Sequence, residues 1–298
     1  MLVVTGGAGF IGQTLIEKLK TITDEQILCV DYNINKSVKN MHPYFFMHKM
    51  LDYNFTKSIT TIFHNGACSD TTNHDINYMM TNNYDYSTSL LKKCLNHNIK
   101  FIYASSASVY GLSCLGAFKE TDERHPANIY AKTKSLFDDY ASVFMNNSTQ
   151  IVGLRYFNVY GQNESHKGDM ASVVYRFFKQ KKEGKINLFE KSRFYKRDFI
   201  HVEDIVNINI FFWKNTKISG IFNAGTGIDR SFQEIADIIC KKYNTKINYI
   251  SIPQKLRDQY QTYTKADTTL LRNHYKESFM SIEEGVNKYL TYLEANET

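Results

Sequence analysis

The apolar positions of this chain fall in short runs that stop at glycine, aspartate or asparagine and alternate with stretches of helical spacing. Leu2-Val3-Val4-Thr5 runs into a glycine cluster, after which Ile11, Leu15, Ile16 and Leu19 share one face of a helix. Ile27-Leu28-Cys29-Val30 ends at Asp31, Thr61-Ile62-Phe63-His64 ends at Asn65-Gly66-Ala67, and Phe101-Ile102-Tyr103-Ala104 ends at Ser105-Ser106. With residues 151–156 these runs predict buried strands, and 75–97 and 129–145 predict helices between them. The alternation predicts an α/β fold built on a Rossmann-type, doubly wound parallel sheet. From about Asn158 the pattern turns irregular and aromatic, which predicts a smaller α/β substrate-binding domain. Residues 199–213 and 221–223 predict a return to the main sheet. The expected division is therefore 1–158 plus 199–225 for the sheet domain and 159–198 plus 226–298 for the smaller one.

Composition narrows the class. Hydrophobic residues at 43% and charged residues at 22%, with 3 prolines and 15 glycines, suit a globular chain rather than a disordered or repeat one. The net charge of +6 comes from scattered lysines and arginines, so nucleic acid is not an expected partner. Five widely spaced cysteines without metal-type spacing read as reduced thiols. A strand starting at Leu2 leaves no signal peptide, and no apolar run has the roughly 18 residues of a membrane span. A cytoplasmic protein with no membrane partner is expected.

Two clusters carry chemistry. Gly6-Gly7-Ala8-Gly9-Phe10-Ile11-Gly12 sits between a strand and a helix, with Gly6 at the turn, Gly9 at the approach to a pyrophosphate and Gly12 at the helix–sheet contact. Asp31 follows about 20 residues on, where a carboxylate binds the adenosine ribose of NAD. Lys36 and Lys39 stand close behind; they either pair with a 2′-phosphate, favouring NADP, or lie in a solvated loop. Asn65, Gly66 and Ala67 end the strand expected beneath the cofactor, and Asn82 and Asn83 sit on the next helix, either facing the cofactor or satisfying local backbone. In the second cluster Tyr130 and Lys134, four apart, share a helix face. An ammonium there and a positive nicotinamide lower the tyrosine pKa for proton exchange with a substrate hydroxyl, and Ser106, at the end of a strand, can hold the same oxygen.

These motifs, with Ser106-Ala107-Ser108-Val109-Tyr110-Gly111, resemble the extended short-chain dehydrogenases/reductases that act on nucleotide sugars. A narrower resemblance, to the ADP-L-glycero-D-manno-heptose 6-epimerase family, is carried by Gly66-Ala67-Cys68-Ser69-Asp70-Thr71-Thr72, Tyr78-Met79-Met80-Thr81-Asn82-Asn83-Tyr84, Arg155-Tyr156-Phe157-Asn158-Val159-Tyr160-Gly161, His166-Lys167-Gly168 and Lys196-Arg197-Asp198-Phe199. It implies inversion at C6 of an ADP-linked heptose through a transient ketone, with NADP retained and recycled, and a homo-oligomer, often a pentamer. It places Phe10, Ile11, Asp31, Tyr32, Lys36, Asn65, Gly66, Ala67, Cys68, Ser69, Asn82, Lys134 and Val159 at cofactor positions, and Lys167 beside them. Asn158, Phe189, Glu190, Lys191, Ser192, Arg197 and Tyr260 fall at substrate positions, and Tyr130 and Lys167 are the acid/base pair. Asp169 and Arg176, expected near substrate, depart from the family's serine and histidine. Inversion calls for a proton transfer on either face of the ketone, so a second group such as Lys167 makes chemical sense; the plainer reading is a loop lysine in water. Arg197 either forks onto the diphosphate or pairs with Asp198. Another nucleotide-sugar epimerase or dehydratase, and a non-catalytic dinucleotide sensor, are the competing readings.

Overall fold

The computed structural model describes residues 1–32, 44–53, 55, 58–112, 116–254 and 261–296. Lys36, Lys39, Cys114 and Tyr260 lie outside them. The chain opens with β1 (Leu2–Thr5), α1 (Phe10–Lys20) and β2 (Ile27–Asp31), then β3 (Tyr44–Phe46), α2 (Met47–Met50) and β4 (Thr61–His64). A helix begins as α3 (Ile76–Met79), widens into a π-helical stretch (Met80–Asp85) and continues as α4 (Tyr86–His97). β5 (Lys100–Ser106), α5 (Ile129–Ser142), β6 (Ile151–Tyr156) and β7 (Asn158–Tyr160) follow. Next come α6 (Val173–Gln180), β8 (Lys185–Phe189), β9 (Lys196–His201), α7 (Val202–Lys214) and β10 (Gly220–Ala224). The chain closes with β11 (Asp229–Ser231), α8 (Phe232–Tyr243), β12 (Lys246–Ile250), α9 (Thr269–His274) and α10 (Ile282–Asn296).

The main sheet has the order β10-β6-β5-β4-β1-β2-β3, and from β6 to β3 every neighbouring pair is parallel. Every residue of β1, β4 and β6 is buried, as expected of parallel strands covered on both faces. The strand order reverses beside β1, which puts the ends of β1, β4 and β5 where open α/β sheets bind ligands. The chain clusters into two units: residues 1–109, 126–156 and 205–222, and residues 110–125, 157–204 and 223–298. The first encloses a core that includes Val3, Val30, Ile62, Leu90, Phe101 and Phe137.

The second unit holds a three-stranded sheet, β11-β9-β7, and a parallel pair, β12-β8. Its core includes Val174, Phe178, Ile235, Ile239, Val286 and Leu290. Phe199 lies in β9 of this smaller sheet, not in the main one as its apolar run predicts. Lys196–His201 pairs with β7 and β11, and Glu203 and Asp204 then supply the acidic first turn that starts α7, so only β10 reaches the main sheet, next to β6. Among the described residues no helix is long and apolar enough to cross a membrane. Cys29, Cys68, Cys94 and Cys240 are free thiols.

Candidate active site

The glycine cluster forms a cradle at the end of β1. Gly6 has φ +64°, and a Cβ there would come within 2.8 Å of the Asn65 carbonyl carbon and the Gly66 nitrogen, so the first loop is pressed against the loop after β4. A Cβ on Gly12 would lie 2.1 Å from the Gly6 oxygen, which is why α1 can start so close to the turn. Asp31 closes the cradle: its carboxylate accepts from the Ala8 N–H at 3.0 Å and the Tyr32 N–H at 2.7 Å. Tyr32 in turn donates to Asn82 Oδ1 at 2.6 Å. The buried Asn65 Nδ2 has no hydrogen-bond partner among the described residues, although its Oδ1 accepts from Tyr156 Oη at 3.3 Å. A bared helix N-terminus, a ribose-type carboxylate and an unsatisfied amide fit a dinucleotide.

The π-helical stretch explains the two asparagines. Asn82 faces outward to Tyr32, whereas Asn83, 1% exposed, accepts from the Cys68 N–H at 2.8 Å and donates to the Cys68 carbonyl at 3.0 Å. Its amide also reaches Thr133 Oγ1 at 3.3 Å, and that hydroxyl donates to the Tyr130 carbonyl at 2.8 Å. A second chain runs beneath the same loop. The Gly66 N–H donates to Thr5 Oγ1 at 3.1 Å; Thr5 Oγ1 and His64 Nδ1 are 2.7 Å apart, and His64 Nε2 and Ser87 Oγ are 2.8 Å apart. Ser87 Oγ donates to the Asn83 carbonyl at 2.6 Å. With that proton committed, Ser87 must accept from His64 Nε2–H, leaving Nδ1 to accept from Thr5. His64 is thus neutral, in agreement with a pKa pulled down to about 3 by burial and by the Lys134 charge. Polar residues ending otherwise apolar strands, Thr5 and His64, were the sequence signal for this network, but only the fold shows that they meet.

Asn128 caps α5 by accepting from the Ala131 N–H at 2.8 Å, which fixes the helix start beside Tyr130. Tyr130 is hydrogen-bonded to Ser106, whose Oγ also accepts from Ser108 Oγ at 2.9 Å. Lys134 is buried, donates to the Ala104 carbonyl at 2.8 Å and lies 5.9 Å from the centre of the Tyr130 ring. Burial pushes the Tyr130 hydroxyl up, and the hydrogen bond with Ser106 works against that. The ammonium is turned toward Ala104, and its own pKa is pulled down to about 8 by burial, with Asp138 favouring the charge. Asp138 also accepts from Arg155 Nε at 2.8 Å and Tyr103 Oη at 3.0 Å, a buried group that the sequence reading did not single out.

The remaining candidates belong to the second unit. Asn158 on β7 donates to the Asp198 carbonyl at 3.3 Å, and Val159 follows it in the strand. Arg197 on β9 is buried, bonds to the carbonyls of Lys196 (2.9 Å) and Gln261, and stacks over Phe232 at 5.3 Å. Successive residues of a strand face opposite sides, and Asp198 turns instead to the N–H groups of Thr226, Gly227 and Ala266, so it does not serve Arg197 as the sequence alternative had it. Phe189 ends β8 and Glu190, Lys191 and Ser192 form the turn after it, with Ser192 buried and Lys191 at φ +67°. Lys167 is half-buried on a 3₁₀ turn (Ser165–Met170), while Asp169 and Arg176 are exposed.

Residues 2–225 match the model of the NAD dependent epimerase/dehydratase family. A Brachyspira hyodysenteriae protein described as ADP-L-glycero-D-manno-heptose-6-epimerase is 45% identical, over 99% of this chain and 98% of the relative. The crystal structure of Helicobacter pylori ADP-L-glycero-D-manno-heptose-6-epimerase superposes with a TM-score of 0.86 at 26% identity, covering 99% of this chain and 96% of that one. Thermotoga maritima UDP-glucose 4-epimerase, 23% identical with a TM-score of 0.85 over 100% of this chain and 99% of its own, shares the fold. A glycine cradle with its aspartate, a Ser–Tyr–Lys set shared by the end of β5 and helix α5, and a match over most of the chain lead to one conclusion: the chain belongs to the NAD dependent epimerase/dehydratase family.

Proposed function

We propose that the chain inverts C6 of ADP-D-glycero-D-manno-heptose to give the L-glycero epimer, through transient oxidation to a 6-ketone, as a supply step for the heptose of the lipopolysaccharide inner core. The observation that carries this reading is the 45% identity spanning 99% of the chain, because it covers both the cradle and the residues of the second unit. The dinucleotide would supply hydride acceptance and return. Gly6, Gly9, Phe10, Ile11, Gly12, Asp31, Tyr32, the Asn65–Ser69 loop, Asn82 and Val159 would hold it. NADP is our choice over NAD, from the resemblance to the heptose epimerases and despite the Asp31 carboxylate, which with two N–H contacts can still accept from a ribose hydroxyl.

In this reading Ser106 holds the C6 oxygen, and Tyr130 takes the C6 hydroxyl proton from one epimer and returns it. Lys134 anchors the tyrosine's surroundings and keeps a positive charge beneath them. Lys167 serves the other epimer, its pKa pulled down by burial toward the range where a lysine can give and take a proton. Arg197 would fork onto the diphosphate, with Asn158, Asp169, Arg176, Phe189–Ser192 and Tyr260 around the ADP-heptose. We further propose a cytoplasmic homo-oligomer, a pentamer, which sedimentation velocity would check. The deciding experiment follows C6 stereochemistry by NMR while purified protein acts on ADP-heptose. Change at C4 instead, loss of water, or no turnover with the dinucleotide bound would each replace this reading.

A further inference from the structure

Glu164 lies just before the turn that carries Lys167 and has 0% of its surface exposed. Its carboxylate accepts from the Ser172 N–H and Ser172 Oγ–H, both at 2.6 Å, and from the Gly161 N–H at 3.4 Å. All three contacts are donors, so the group accepts throughout. One side chain thereby ties both ends of the 161–172 segment together. Ser172 passes the constraint on, because its Oγ accepts the Tyr175 N–H at 3.3 Å and caps α6. In the middle of the segment the Lys167 N–H donates to the Glu164 carbonyl at 3.0 Å. The two side chains also sense each other's charge: the carboxylate favours the charged form of Lys167 against its burial.

A neutral residue could close a loop with less desolvation, since a buried carboxylate is costly unless donors and a counter-charge offset it. Here the donors fix the backbone and the counter-charge is the half-buried lysine. We propose that Glu164 is a positioning residue for Lys167, holding the 161–172 segment closed so that the lysine ammonium is presented to the substrate in one geometry. The inference rests on the reading of Lys167 as the second acid/base group. Nothing in it calls for Glu164 to touch substrate or cofactor.

Glu164→Gln tests it in the full chain. A glutamine can satisfy Ser172, but its NH₂ then faces the Gly161 N–H, donor against donor, and the negative charge is gone. The measurements are KM and kcat for epimerisation and single-turnover absorbance of reduced nicotinamide starting from each C6 epimer, with Lys167→Met run alongside. Misplacing a reacting group by about 1 Å costs about 10²-fold, so Glu164→Gln should slow the half-reaction that Lys167→Met slows by about that factor. The other half-reaction and KM should stay within about twofold. Equal loss in both half-reactions, or none in either, overturns the proposal. If Lys167→Met is inactive while Glu164→Gln is unchanged, the inference fails and the role of Lys167 stands; if Lys167→Met epimerises at the wild-type rate, both fall. Should Glu164→Gln not fold, Ser172→Ala, which keeps the charge and removes the Oγ contacts with Glu164 and the Tyr175 N–H, decides by the same comparison, with an expected loss of about tenfold confined to that half-reaction.

Discussion

Tyr130 and Lys134 are separated by one helical turn, yet the structure gives them different tasks. Burial raises Tyr130 and the hydrogen bond with Ser106 acts against it, while the Lys134 ammonium is bonded to the Ala104 carbonyl. Tyr130→Phe should therefore lose about 10²–10⁴ in kcat with little change in KM, measured on ADP-heptose. Lys134→Ala removes a buried cation bonded to the Ala104 carbonyl and should fail differently, weakening dinucleotide binding as well as turnover; a wild-type dissociation constant by calorimetry would contradict this. At Arg197 the contact proposed is with a diphosphate remote from C6, equally made in ground and transition states. Arg197→Ala should then raise KM with kcat nearly unchanged, a loss of about 2–4 kcal/mol in kcat/KM. A variant that loses stability instead, with KM intact, would make Arg197 a brace between β9 and Gln261.

The strand ends are where elements meet chemistry, and the sequence was readable there in part. The glycine spacing, Asp31 and the Tyr130–Lys134 interval are local, so their placement follows from the elements that carry them. The Thr5–His64–Ser87–Asn83 chain is not local: it joins β1, β4, α4 and a π-helical turn whose extra residue no apolar periodicity marks. The same holds for β9, whose apolar run suits a place in either sheet until its partners are known. The chain of hydrogen bonds has a consequence in acid. His64 titrates near 6.5 when exposed, and the fold lowers it to about 3, so between those values the unfolded chain binds the extra proton and stability falls as pH drops. Denaturant midpoints should decline from pH 6.5 toward 4 in the wild type, and His64→Gln, which has no such proton to refuse, should flatten that part of the slope. An equal slope in both would show that the acid limb comes from other groups.

At the scale of the molecule, the first unit carries the dinucleotide cradle and the Ser–Tyr–Lys set, and the second carries Lys167 and Arg197. The change of pattern near Asn158 is a local signal, whereas the place of residues 110–125 in the second unit rests on long-range partners such as Asn223 with Tyr110 and Glu120. An enzyme whose hydride leaves and returns within one turnover has no use for cofactor exchange, so tight retention costs it nothing. The cradle suits retention: Gly6 and Gly12 are pressed against their neighbours, the β4 loop is fixed by Asn83, and Asn65 Nδ2 has no partner among the described residues. The protein as purified should carry close to one dinucleotide per chain, released on denaturation and identified by enzymatic cycling as NADP rather than NAD. Stripped protein should melt lower and recover with added cofactor as RT ln(1 + [L]/Kd), about 2.7 kcal/mol at a hundredfold excess over Kd. Recovery by NAD at lower concentration than NADP would assign the preference to the Asp31 carboxylate. Absence of either nucleotide, with no shift in melting on adding them, would remove the cofactor from the proposal and the 6-ketone route with it.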